Sequence, residues 1–114
     1  SDGPIVVSPS TPVSIDISLD SGDKADQNAD WWVVELTPSE VINYYDLYTA
    51  SMVPGFLPTC QGPLFGFSSV QLLNSSDLAV GTHTFCFGVD LNMDGSLNAN
   101  SLYYDCVTVS VSGK

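Results

Sequence analysis

Apolar residues recur at alternate positions in short runs along the chain, and clusters of Pro, Gly, Asp, Asn and Ser separate the runs. That spacing puts successive side chains on opposite faces of a strand, whereas a helix needs apolar positions three and four apart. PIVVS opens the series, PSTP breaks it, and VSIDISL then alternates cleanly. DWWVVELT, VINYYDLY, a weaker piece around SMVPGFL, FGFSSVQLL, GTHTFCFGVD and LYYDCVTVSV follow. The pattern predicts an all-β domain of roughly seven or eight strands, the count of an immunoglobulin-like or fibronectin-like β-sandwich. A jelly roll is the alternative architecture.

The length of 114 residues allows one core, so the whole chain reads as a single β-sandwich domain. Residues 1–12 read as an N-terminal strand and crossover that could engage a neighbouring subunit. The charge balance narrows the function. Thirteen acidic residues face Lys24 and Lys114 with no arginine, a formal net charge of -11. Such a chain repels phosphate, which excludes nucleic acid as a partner and disfavours anionic membrane. No apolar run reaches the ~18 residues of a membrane span, so no membrane insertion is expected. SDGPIVV reads as the start of a mature secreted chain. Scarce lysine, abundant Ser, Thr, Asn and Gly, and three cysteines suit an extracellular or cell-surface setting.

Eleven of the thirteen acids are Asp, which favours turns and ion-binding loops. In a sandwich, the loop DSGDKADQNAD, with Asp20, Asp23, Asp26 and Asp30, lies at the same end as the loop DLNMDGSLNANS. The second loop has the spacing of a calcium loop: Asp90, Asn92 and Asp94 at positions 1, 3 and 5, Gly95 at 6, Ser96 with its carbonyl at 7, and Asn98 at 9. Its flanks are strands, where an EF-hand has helices. Ser101 stands where an EF-hand has a bidentate Glu, which implies a weaker site or a ligand borrowed from Asp105, Asp23, Asp26 or Asp30. Calcium is therefore the expected cofactor. The bland reading is that Asp and Asn before Gly build a tight loop.

Three cysteines permit three single bridges. Cys86 and Cys106 both point away from the apolar parity of what should be adjacent strands, which favours a Cys86–Cys106 disulfide and leaves Cys60 buried and inert or joined to another chain. One histidine and no C-x-x-C spacing argue against zinc. His83 reads as a surface strand residue. No nucleophile elbow, Cys–His context or phosphate-cradling glycine loop is present, and the chain reads as a non-enzyme. Trp31 and Trp32 are adjacent and must face opposite ways, one into the core and one exposed or covered by a loop. With Tyr44, Tyr45 and Tyr48 they could form a platform that stacks on sugars, the signature of a carbohydrate-binding module. Asn74 opens the glycosylation sequon NSS.

The runs NADWWVVELTP, CQGPLF, GTHTFCFGVDLNMDG and LYYDCVTVSV resemble a recurrent immunoglobulin-like module of bacterial secreted and cell-surface proteins, over roughly residues 20 to 112. The resemblance implies an extracellular β-module and no particular chemistry. Asp90, Asn92, Asp94 and Gly95 carry over directly. The joint departure from that pattern at Cys86 and Cys106 suits a bridge between them. The expected function is a structural or adhesive protein with a calcium-binding acidic tip, of the kind that could serve as a subunit of a cell-surface filament. Its partners would be other subunits in self-assembly, or surface glycans on the carbohydrate-binding alternative.

Overall fold

The computed structural model describes residues 5–8, 13–75 and 78–112. Its strands are β1 (Ile5–Val7), β2 (Val13–Leu19), β3 (Asn28–Leu36), β4 (Ile42–Asp46), β5 (Ser51–Pro54), β6 (Cys60–Pro63), β7 (Phe67–Ser75), β8 (Gly81–Asp90) and β9 (Leu102–Val111). Single 3₁₀ turns at Gly22–Lys24 and Ala99–Ser101 are the helical elements among these residues. The all-β expectation holds, with nine strands where seven or eight were expected. The addition is β6: CQGP has no alternation to announce it, and it is a strand because its backbone pairs with Asn28–Trp31 of β3.

The strands form two layers. Seven make one sheet in the order β1-β9-β8-β3-β4-β5, with β6 also on β3, and β2 pairs with β7 as a second sheet. The order β9-β8-β3-β4 opposite β2-β7 is that of an immunoglobulin-like sandwich. β1 runs parallel to β9, with Ile5 opposite Val109 and Val7 opposite Val111. β3 is the hub, flanked by Thr84–Asp90 of β8 on one side and shared between β6 and β4 on the other.

Alternation along the strands builds the core between the layers. Val13 and Ile15 of β2 meet Phe85 and Val109, while Ala29, Trp31, Leu64 and Val89 form a second cluster nearer the loops. Phe67 and Phe87 stack around Trp31 with centroids 6.2 Å away. A cavity of about 190 Å³ remains between β2 and the large sheet, lined by Ile15, Ile17, Val33, Met52, Phe85 and Val107 among others.

Cys86 and Cys106 stand directly opposite on β8 and β9 and form a disulfide. Cys60 is free and half-buried, and burial pushes its thiol above the ordinary value. His83 corrects its reading as a surface residue. It shares the parity of Phe85 and so turns inward, where it is buried. There its Nδ1 lies 2.8 Å from Glu35 Oε2 and its Nε2 2.8 Å from the Ala79 carbonyl. No helix among the described residues is long and apolar enough to cross a membrane.

Candidate metal centre

The β8–β9 loop begins where β8 ends, at Asp90, and register puts Asp90 directly opposite Asp30 of β3. Both carboxylates are fully buried. Directly opposed like charges repel, and burial removes the water that would screen them. The only cation in the neighbouring loops, Lys24, lies elsewhere, 3.9 Å from Asp23 and 5.6 Å from the Tyr103 ring centroid. Neutral donors hold the pair instead. Asp30 accepts from Gln61 Nε2 at 2.6 Å and from the Gly95 backbone N–H at 2.7 Å. Asp90 accepts from the backbone N–H groups of Asn92 and Asn98, from Asn98 Nδ2 and from the Ser101 hydroxyl. Burial pushes the Asp90 carboxyl up, but those hydrogen bonds together draw it below its ordinary value.

These bonds explain the shape of the loop. Asp90 and Asp94 each accept the N–H two residues on, in Asx turns that fold the chain back at Asn92 and Ser96. Gly95 takes φ +81, a conformation that glycine adopts without cost, and there its N–H points at Asp30. One side chain gathers the rest. Asn98 Nδ2 lies 3.0 Å from Asp90 Oδ2, Asp94 Oδ1 and the Ser96 carbonyl, and 3.5 Å from the Asn92 carbonyl. An amide nitrogen carries two hydrogens, so it cannot satisfy four oxygens. The loop therefore collects an excess of oxygen around one point.

Of the expected ligand set, Asp90, Asn92, Asp94, Ser96 and Asn98 come together, and Asp30 joins them beneath Gly95. Three others do not. Asp23 is exposed beside Lys24. Asp26 turns outward at φ 70, with its backbone N–H on the Leu64 carbonyl. Asp105 stands opposite Phe87, three positions along β9 from the Leu102–Asp90 pair, and its Oδ1 accepts from the Cys106 N–H. Ser101 is the residue the loop spacing did not mark as useful; its hydroxyl caps Asp90 where an EF-hand places Glu. Among the described residues no three His, Cys, Asp or Glu side chains cluster closely enough to hold an ion alone, so any such site needs the Asn and backbone oxygens.

The aromatic platform does not form as expected. Trp31 turns into the core, and its Nε1 donates to the Gly62 carbonyl. Trp32 faces the other way but lies under Phe56, with ring centroids 4.9 Å apart. Both indoles are buried and Tyr44 and Tyr45 are half-buried, which leaves Tyr48 alone fully exposed. Of the sequon, Asn74 is placed in β7 opposite Ser14, while Ser76 lies outside the described residues.

Comparison with known proteins adds no identity: no family model, curated protein or solved structure matches the chain.

Proposed function

We propose that this chain is a non-catalytic, extracellular structural or adhesive unit whose β8–β9 loop binds one calcium ion, and that it serves as a subunit of a cell-surface assembly. The observation that carries the calcium reading is the oxygen excess around Asn98 Nδ2, on a floor of two buried aspartates that no cation neutralises among the described residues. Asp90, Asp94, the Ser96 carbonyl and Asn98 would hold the ion, with Asn98 presenting its amide oxygen in place of its nitrogen. Calcium takes six to eight such oxygens in flexible geometry, which suits a loop of mixed carboxylate, amide and carbonyl donors better than magnesium does. Its charge would offset the Asp30–Asp90 repulsion and brace an eleven-residue connection that carries little apolar content of its own. The disulfide, the acidic surface and the resemblance to a bacterial surface module support the extracellular setting.

Calorimetric titration of chelator-stripped protein with calcium chloride tests the reading. We expect one site with Kd on the order of 10⁻⁴–10⁻³ M, the range of extracellular modules. At a hundredfold excess over Kd it stabilises by about 2.7 kcal/mol. With about 2.1 cal/mol/K of unfolding entropy per residue, that raises Tm by roughly 10 °C. Asp94→Asn should abolish both signals. Neither heat nor a Tm shift at about 10 mM calcium, roughly tenfold above the weakest Kd expected for such sites, would remove calcium from the reading.

A further inference from the structure

The outer face of the large sheet is a surface to which the calcium loop gives no role. Register puts Val34 and Leu36 of β3 on this face, beside Cys86 and Thr84 of β8 and beside Tyr44 and Ile42 of β4. It is the side turned away from the β2–β7 layer, and among the described residues no second sheet covers it. Leu36 and Ile42, direct neighbours across the ladder, are 45% and 44% exposed, and Tyr104 on β9 is 68% exposed. Asp30 and Asp90 mark the tip end of this face, and Asp46, two positions past Tyr44 on β4, lies toward that same end; away from it, the outward positions of β3, β4, β8 and β9 carry no charged residue.

We infer that this face docks against the same face of a second copy of the chain, across a two-fold axis. The inference rests on the assembly half of the reading above and is independent of calcium. Charge selects the partner and the place. Two chains of net charge -11 repel wherever carboxylates meet, and away from its tip end this sheet face presents none. A self-complementary apolar patch is what a two-fold contact requires, because each residue meets its own surroundings on the other copy.

Size fits as well. Five strands at ~4.8 Å spacing and about seven residues at ~3.4 Å rise project roughly 550 Å². The relief of the side chains increases that toward the ~800 Å² per partner of a standard interface. The Cys86–Cys106 bridge ties β8 to β9, so this part of the face is ordered before contact and little freedom is lost on docking.

Sedimentation velocity of the full chain over a wide concentration range, with calcium and with excess chelator, tests this. The variants are Ile42→Glu and Tyr104→Glu, each placing a carboxylate on the face, with Tyr103→Glu as a control at an exposed site on the other side of β9. Far-UV circular dichroism checks that each folds, and Tyr104→Glu stands in should Ile42→Glu unfold. The wild-type chain is expected to dimerise in both buffers, the face variants to weaken dimerisation by about a hundredfold or more, and Tyr103→Glu to leave it unchanged. A wild-type chain that stays monomeric overturns both the inference and the assembly half of the reading. Self-association that the face variants leave intact overturns this face alone. Association lost only in Tyr103→Glu, or only in chelator, places the contact on the other side of the sheet or at the tip and likewise overturns it.

Discussion

His83→Ala tests the polar unit inside the core, and its cost can be worked from the contacts. The imidazole is 3% exposed and the Glu35 side chain 8%. Nε2 faces a carbonyl, which can only accept, so Nε2 carries a hydrogen. Nδ1 faces Glu35 Oε2 at 2.8 Å, so one more proton lies between ring and carboxylate. Removing the ring leaves the Ala79 carbonyl without this donor. It also leaves Glu35 holding only the Asn43 Nδ2 contact at 3.3 Å. Deleting one partner of a buried pair costs about 3–5 kcal/mol, because the other charge stays behind unpaired. At about 2.1 cal/mol/K per residue the 114-residue chain has an unfolding entropy near 0.24 kcal/mol/K, so Tm falls by about 12–20 °C. Glu35→Gln is the companion variant. Its amide nitrogen can donate to a neutral Nδ1 while its oxygen keeps the Asn43 bond, and the expected cost is within about 1 kcal/mol. Scanning calorimetry on both variants decides the matter. A His83→Ala cost below about 1 kcal/mol, or a Glu35→Gln cost equal to it, would refute the account of a satisfied buried pair.

Two further outcomes follow from the cysteines. Replacing Cys86 and Cys106 together by Ser reopens a loop spanned by 20 residues and should cost about 3 kcal/mol in urea unfolding; no loss of midpoint would mean that β8 and β9 are held by pairing alone. Because burial raises the Cys60 thiol, the folded state favours the protonated form. Iodoacetamide at pH 8 should therefore alkylate Cys60 at least tenfold more slowly than the same cysteine in urea, a ratio read by mass spectrometry, and equal rates would show the thiol to be open.

Most strands were legible because each turns one face to the β2–β7 layer and the other away from it, which writes a period of two into the sequence. VSIDISL became β2 without adjustment, and the opposed parity of Cys86 and Cys106 already placed both on the outer face. What escaped depended on partners far away in the chain. β6 is a strand only because β3 offers it a backbone edge. Glu35 and His83 lie 48 residues apart, and nothing local marks either as one half of a buried pair. At the tip, the spacing of Asp90, Asn92 and Asp94 announced a loop that folds around oxygen. Which acids of the preceding β2–β3 loop would sit beside it was not readable. Asp30 does so because it is already inside β3, opposite Asp90, whereas Asp23 and Asp26 precede the strand and turn outward. The Trp pair shows the same limit: alternation sent the two rings to opposite faces, but only the three-dimensional path of the chain brings Phe56 over Trp32.

The parallel pairing of β1 with β9 has a mechanical consequence. Ile5, where β1 begins, and Val111, where β9 ends, lie at opposite ends of the same short ladder. Tension applied along the chain therefore draws the two strands past each other lengthwise. All the hydrogen bonds between them, together with the Ser112 N–H to Val7 carbonyl bond at 2.8 Å, then share the load at once instead of opening one after another. The β8–β9 bridge anchors the far side of β9, so the first part to yield under a pull is this three-residue clasp, and the disulfide-tied hairpin behind it keeps its length.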